Sequence, residues 1–306
     1  MNNYKDIPQL KNPSCVAIGK FDGIHLGHVS LLEEMVLISE LEELESVAIT
    51  FDPYPEEYFG KASGDRISTK GEIISEMEEI GIETLVRLNF NEELANMSPE
   101  DFVLQILVAK LKVSVVVCGE DVSFGKEGKG NLALLNKMGK MYGFRTEVID
   151  KVLYKDEEIS STGIIKALEE GRTEDASNML GYDYYLYGPV LKGEALGRQF
   201  GLPTLNLNPV KGRILPKAGV YASVVEINQK EYNAVTNVGI RPTVSDIGEV
   251  NIESHLIDAT DLGELYGEHI TVFFVKYLRE ERKFDSKELL FEQIDKDVEI
   301  VKRLMK

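Results

Sequence analysis

The chain has 306 residues, with 34 Lys and Arg against 52 Asp and Glu and a formal net charge of −18 at pH 7. That balance excludes nucleic acid and anionic membrane as expected partners, because both need a basic face. The length exceeds one ordinary core and predicts two domains. No apolar run is long enough to span a bilayer, and no signal peptide is expected. Cys15 and Cys118 both lie in apolar runs, so buried free thiols and a cytoplasmic location are expected.

In chain order, residues 14–18 read as a strand. Gly19-Lys20-Phe21-Asp22-Gly23-Ile24-His25-Leu26-Gly27-His28 follows, and then a helix over 29–45. Strand, glycine-rich turn and helix N-terminus together make an anion site, where Gly19, Gly23 and Gly27 let the backbone approach a phosphate. His25 and His28, two of only four histidines, can donate hydrogen bonds to phosphate oxygens there. The turn lacks a Gly-x-x-x-x-Gly-Lys-Ser/Thr pattern, so Walker-type cleavage at the γ-phosphate is not expected. A His-x-Gly-His turn suits nucleotidyl transfer, with the imidazoles stabilising charge at the α-phosphorus.

A strand over 46–52 ends in the two-proline break Asp52-Pro53-Tyr54-Pro55. A helix over 69–80 closes at Gly81, and residues 84–88 form a strand. Ser98 and Pro99 start a further helix as N-cap and first helical residue. The continuous apolar run 113–118 marks a parallel strand buried on both faces. A helix over 131–142 and a strand over 144–149 complete a doubly wound parallel sheet. Its ligand is expected beyond the carboxyl ends of the strands. The loop Gly119–Lys126 and the helix start Ile159-Ser160-Ser161-Thr162 both fall there. Ser161 and Thr162 offer hydroxyls and N–H groups to phosphates, although a plain serine cap reads the same way.

Helices over 162–170 and 173–180 lead to a boundary at Gly181-Tyr182-Asp183. Short alternating strands then recur at 184–192, 219–228, 231–239, 250–257 and 269–278, the texture of a small β-barrel. One helix over 286–304 closes the chain, with Leu289, Leu290, Ile294, Val298, Val301 and Leu304 at helical spacing. Gly193, Gly197 and the adjoining Arg198 suggest a mobile flap over phosphates. Thr204 and Asn206 are two apart in a strand-like run and share a face. Their neutral oxygens suit Mg²⁺ that is also held by ATP phosphates. Glu253 alternates with Ile252 and can accept the proton of a substrate hydroxyl. Each of these polar groups equally fits the wet face of a strand.

These motifs resemble, over essentially the whole chain, the prokaryotic bifunctional riboflavin kinase/FMN adenylyltransferase (FAD synthetase) family. The residues carrying the resemblance are Gly19–His28, Thr50-Phe51-Asp52-Pro53-Tyr54-Pro55, Ile159–Thr162, Pro203-Thr204-Leu205-Asn206, Glu253, Leu265-Tyr266-Gly267 and Arg279–Phe284. The resemblance implies a Rossmann-like nucleotidyltransferase domain over 1–182. A Greek-key-like riboflavin kinase barrel with a C-terminal helix follows over 183–306. It implies that riboflavin and ATP give FMN, that FMN and ATP give FAD and pyrophosphate, and that Mg²⁺ assists.

By the same resemblance Glu253 is the general base, and Thr204 and Asn206 hold Mg²⁺-ATP. Gly19, Phe21, Asp22, Gly23, Gly27, Ser161, Thr162, Gly193, Gly197 and Arg198 belong to nucleotide binding, and Asp121, Phe124, Arg279 and Arg282 to flavin binding. Three positions depart from the family pattern. Tyr54 stands where histidine is usual, and Ser123 and Ile165 stand where arginine is usual. Arginine clamps phosphate bidentately, and isoleucine cannot; Lys126, Lys129 and Lys166 are the candidate substitutes. The alternative reading is a riboflavin kinase alone, whose N-terminal domain binds nucleotide or flavin and adenylylates weakly or not at all. A flavin-sensing regulator with an inactive site is a further, non-enzymatic reading.

Overall fold

The computed structural model describes residues 1–61, 65–191, 204–241, 249–259 and 262–305. They form two compact units, Met1–Ser161 and Thr162–Lys306.

In the first unit six strands make one sheet. They are β1 (Asn2–Tyr4), β2 (Ser14–Ile18), β3 (Glu45–Phe51), β4 (Thr84–Leu88), β5 (Val113–Gly119) and β6 (Arg145–Ile149), in the order β1-β4-β3-β2-β5-β6. Every pairing is parallel, as expected for a sheet built from alternating strands and helices. The intervening helices are α1 (Leu26–Glu42), α2 (Pro55–Tyr58), α3 (Lys70–Ile80), α4 (Glu92–Asn96), α5 (Pro99–Asp101) and α6 (Leu132–Tyr142). A small antiparallel hairpin, β7 (Leu153–Tyr154) and β8 (Glu157–Glu158), follows.

Alternation along β2 shows why both faces are covered. Cys15 and Ala17 pack with Leu32 and Met35 of α1 and Met77 of α3. Val16 packs on the other face with Phe102, Ile106 and Leu135. The helix expected from Ser98 begins as predicted, with the Ser98 side chain accepting the Asp101 N–H. It then widens into a π-helix over Phe102–Val108, where Ala109 N–H reaches Leu104 O and Leu111 N–H reaches Ile106 O. The wider winding buries Phe102, Val103, Ile106 and Leu107 together against the sheet.

The second unit holds α7 (Ser161–Glu169), α8 (Thr173–Leu180) and a closed antiparallel barrel. The five expected strands are β9 (Tyr185–Leu191), β11 (Gly219–Ile227), β12 (Lys230–Arg241), β13 (Glu249–Leu256) and β14 (His269–Arg279). They are joined by β10 (Thr204–Leu207), which closes the order β10-β13-β12-β11-β14-β9. Sequence texture draws the boundary at 182/183, whereas the contacts group α7 and α8 with the barrel. Lys217 N–H donates to Leu168 O at 2.9 Å and Thr173 Oγ1 donates to Val275 O at 3.4 Å.

Inside the barrel a chain of hydroxyls crosses three strands. Ser223 Oγ lies 2.5 Å from Thr236 Oγ1, which lies 2.8 Å from Ser254 Oγ. All three residues are fully buried. The outer face of β11 and β12 presents Val220, Ala222 and Val235 to Val298 and Val301 of α9 (Lys287–Leu304). The expected apolar stripe of this helix is corrected in part: Leu289, Leu290 and Leu304 are exposed, and the buried Asp297 faces inward with Val301.

Candidate functional site

The glycine-rich turn leaves the carboxyl end of β2 and enters α1, as expected. Its winding needs left-handed backbone at Phe21, Gly23 and Ile24. At Gly23 φ is 81°, and a Cβ would stand 2.8 Å from Ile67 Cγ2, so both conformation and space select glycine. Asp22 is buried, and its carboxylate accepts the backbone N–H groups of Ile67 at 3.2 Å and Ser68 at 3.1 Å. Phe21 is buried edge-on against the His28 ring. Both residues expected at the nucleotide thus brace the turn from behind.

His25 is the N-cap of α1, and its Nδ1 accepts the His28 backbone N–H at 3.3 Å. The two rings stack, with centroids 3.7 Å apart and planes 17° apart. Burial pushes His25 down to about 4 and holds His28 well below its ordinary value, with the neighbouring His25 and Lys20 adding to the effect. Both rings are therefore neutral at pH 7. Because Nδ1 of His25 accepts, its Nε2 carries the proton and is a donor. Nδ1 of His28 is buried with no hydrogen-bond partner among the described residues. Ser161 Oγ donates to Asp22 O at 3.0 Å, which brings the second expected motif to this turn. Thr162 is exposed at the start of α7.

Tyr54, Ser123 and Ile165 take distinct settings. Tyr54 is buried, and Arg66 lies over its ring at 4.0 Å. Arg66 is held in turn by a bidentate pair with Glu57, at 2.8 and 2.7 Å. Burial first, and then the nearby Asp22 charge, push the Tyr54 phenol up, and its hydroxyl has no hydrogen-bond partner among the described residues. Ser123 Oγ donates to Gly128 O at 3.2 Å, and Ile165 is half-buried on α7. Lys126 reaches Asn96 at 3.0 Å and Lys129 pairs with Glu127 at 2.6 Å. The Arg66 guanidinium also lies 3.7 Å from Asp52, while the backbone N–H groups of its neighbours Ile67 and Ser68 meet Asp22.

A cleft near this turn is lined by Gly19, Lys20, Phe51, Phe59, Phe90 and Phe124. Phe59 and Phe90 meet edge to face, and Phe124 packs on Phe102. Asp121, expected with Phe124 at the flavin, is exposed and pairs with Lys151 at 3.1 Å.

The barrel carries a second site on its outer face. Antiparallel register sets Asn206 opposite Glu253 and Glu253 opposite Asn237, one row across β10, β13 and β12. The adjacent row is Thr204, His255 and Val235. Since Val235 faces α9, the polar members of both rows share that face. They line a cavity of about 300 Å³, closed by Leu265, Tyr266, Arg279, Phe284, Phe291 and other side chains.

Asn206 Oδ1 and Asn237 Oδ1 are buried without hydrogen-bond partners among the described residues. Asn237 Nδ2 donates to Glu281 Oε1 at 3.0 Å. Thr204 Oγ1 and His255 Nδ1 lie 3.3 Å apart, and burial lowers the His255 imidazole against the raising effect of Asp295.

Among the described residues no group of three or more His, Cys, Asp and Glu side chains could hold a metal ion by itself. The orphaned oxygen of Asn206 beside Thr204 nevertheless fits a hard cation whose remaining ligands come from phosphates. Arg279 lines the cavity but is engaged elsewhere. Its Nη2 donates to Asp297 Oδ2 at 2.7 Å and its Nη1 donates to Glu280 O at 3.0 Å. Arg282 donates to Gln293, which donates to Asp297 Oδ1 at 2.8 Å. Both arginines therefore fix the cavity wall to α9. Gly193, Gly197 and Arg198 lie outside the described residues.

Sequence reasoning missed His255, Asp297 and Arg66. His255 had a signal, since it sits two residues beyond Glu253 in an alternating strand. Asp297 had one too, as a charge falling in the helix's apolar stripe. Arg66 had none, because its partners come from the fold.

The family model described as FAD synthetase matches residues 7–163, and the one described as riboflavin kinase matches residues 180–305. A bifunctional riboflavin kinase/FMN adenylyltransferase of Buchnera aphidicola is 36% identical over 302 residues, covering 97% of this chain and 96% of that one. The enzyme of the same name from Bacillus subtilis is 36% identical over 289 residues, covering 93% and 90%. A crystal structure described as a macrolide-efflux protein from Streptococcus pneumoniae superposes with a TM-score of 0.89 at 27% identity, covering 99% of both chains. Among the described residues of this chain, no helix is long and apolar enough to cross a membrane.

Proposed function

This chain belongs to the bifunctional riboflavin kinase/FMN adenylyltransferase family, and we propose that its two halves divide the two reactions. It phosphorylates riboflavin with ATP to FMN and adenylylates FMN with a second ATP to FAD. We assign adenylyl transfer to residues 1–182 and phosphorylation to residues 183–306. Both family models match, which favours two reactions over a kinase alone.

The observation that carries the kinase assignment is the row Asn206, Glu253 and Asn237 lining one cavity. Glu253 takes the proton of the ribityl hydroxyl as the hydroxyl oxygen attacks the γ-phosphorus of ATP and ADP leaves. Thr204 and Asn206 would hold Mg²⁺ through their oxygens. When bound, the cation neutralises phosphate charge during in-line transfer. Apolar residues such as Leu265, Phe284 and Phe291 exclude water around the flavin, and Arg279 and Arg282 hold that wall.

In the N-terminal unit FMN phosphate attacks the α-phosphorus of ATP and pyrophosphate leaves. His25 and His28, as neutral donors, stabilise the charge that builds on the phosphate oxygens. The backbone N–H groups around Gly23, Gly27, Ser161 and Thr162 add dipoles of the same sign. Phe124 and the cleft aromatics offer the flavin a stacking surface. Two buried free thiols support a cytoplasmic location.

Incubating the purified chain with riboflavin, ATP and magnesium chloride and separating products by chromatography tests this reading. FMN and FAD are both expected. Absence of FMN overturns the kinase assignment, and FMN without FAD overturns the adenylylation.

A further inference from the structure

His255 stands next to the proposed base and carries no role yet. It pairs with Thr204 across β10 and β13 as Glu253 pairs with Asn206. Alternation places all four side chains on the face that lines the cavity. His255 is 7% exposed. Its Nδ1 meets Thr204 Oγ1 at 3.3 Å, while its Nε2 is buried with no hydrogen-bond partner among the described residues. A neutral imidazole has one donor and one acceptor, so the two ends are linked. If Nδ1 accepts the Thr204 hydroxyl proton, Nε2–H becomes a donor. An orphaned buried donor is costly, and a bound acceptor relieves it. ATP supplies such acceptors in its phosphate oxygens.

We propose that His255 is a positioning residue for Thr204 and a substrate-binding donor in the kinase reaction. Its Nδ1 fixes the Thr204 hydroxyl so that the oxygen faces the nucleotide and its cation. Its Nε2–H donates to an oxygen of the phosphoryl group in transfer. The inference rests on the assignment of the kinase reaction to the barrel.

Three substitutions separate the two ends of the ring. His255→Leu removes both. His255→Asn keeps an acceptor near the Nδ1 position, and His255→Gln keeps a donor near the Nε2 position. Calorimetric titration with ADP and magnesium chloride reads the Thr204 side without turnover, kcat for FMN formation reads the Nε2 side, and thermal unfolding confirms folding. His255→Leu is expected to weaken ADP binding about tenfold and to lower kcat about a hundredfold. His255→Asn is expected to restore ADP affinity but not kcat, and His255→Gln to restore kcat more than affinity. A folded His255→Leu protein with unchanged ADP affinity and kcat overturns the proposal. Should the leucine variant fail to fold, equal losses of affinity and kcat in the asparagine and glutamine variants overturn it. ADP affinity reports on His255 whether or not FMN forms, whereas wild-type protein that forms no FMN removes the barrel assignment itself.

Discussion

Asp297 Oδ2 accepts Arg279 Nη2 at 2.7 Å and ties α9 to the end of β14 beside the barrel cavity. The carboxylate is 1% exposed, and both oxygens also accept Arg279 Nε. Removing one partner leaves a charge buried alone. Arg279→Ala is therefore expected to destabilise the protein by about 3–5 kcal/mol, whereas Arg279→Met with Asp297→Leu costs much less. Urea unfolding of the single and double variants measures the difference, and the KM for riboflavin is expected to rise in both because the cavity wall loses its fixed position.

Glu253→Gln retains shape but cannot accept a proton. FMN formation is expected to fall by about 10²–10⁴-fold, while conversion of supplied FMN to FAD continues. Chromatography of the two reactions run separately checks this. A matching loss of both would show that the reactions do not divide between the halves.

The stacked histidines set a pH dependence. His25 lies at about 4 in the folded protein against 6.5 as its ordinary value, and His28 is lowered as well. The unfolded chain thus binds protons first as pH falls. The stability held above about pH 6.5 is lost progressively toward pH 4, at up to about 1.4 kcal/mol per pH unit for each ring. Thermal unfolding followed from pH 8 to pH 4 is expected to show this loss, and His25→Gln to reduce its steepness. Between pH 6.5 and pH 8 both rings remain neutral, so FAD formation is expected to show no histidine titration there.

Thr236 bridges Ser223 and Ser254 inside the barrel at 2.5 and 2.8 Å. Thr236→Val keeps the volume but takes the Thr236 partner from the buried Ser254 hydroxyl, while Ser223 Oγ keeps its bond to Ala234 O at 3.1 Å. A loss of about 1–3 kcal/mol is expected in urea unfolding. Tyr54→Phe has the opposite sign. It removes a buried hydroxyl that has no hydrogen-bond partner among the described residues, keeps the ring beneath Arg66, and is expected to stabilise the protein by about 1 kcal/mol.

Legibility followed locality. The turn from Gly19 to His28 is readable because glycine spacing, a strand and a helix start coincide within ten residues. The parallel sheet is readable from the apolar run at 113–118, and Ser98 from cap chemistry. The π-helix at 102–108 is not, since apolar residues four and five apart suit either winding until a sheet selects one. The roles of Asp22 and Arg279 are also hidden. Each is a charged residue in a ligand-like motif, and only the fold reveals that Ser68 or Asp297 already occupies it. Arg66 over Tyr54 is a pairing across a chain reversal, for which no local pattern exists.

The neutral histidine stack has a consequence for ionic strength. Lys20, the cation within the turn, pairs with Glu56 at 2.7 Å, and neither imidazole carries charge at pH 7. A triphosphate bound at the turn, as proposed, would therefore be attracted through oriented N–H dipoles close to it rather than by Lys20 or the imidazoles acting as free cations. Such short-range attraction is weakly screened by dissolved salt. Nucleotide affinity in the N-terminal unit is accordingly expected to change little between dilute and physiological buffer, where a lysine-lined site would lose much of its hold.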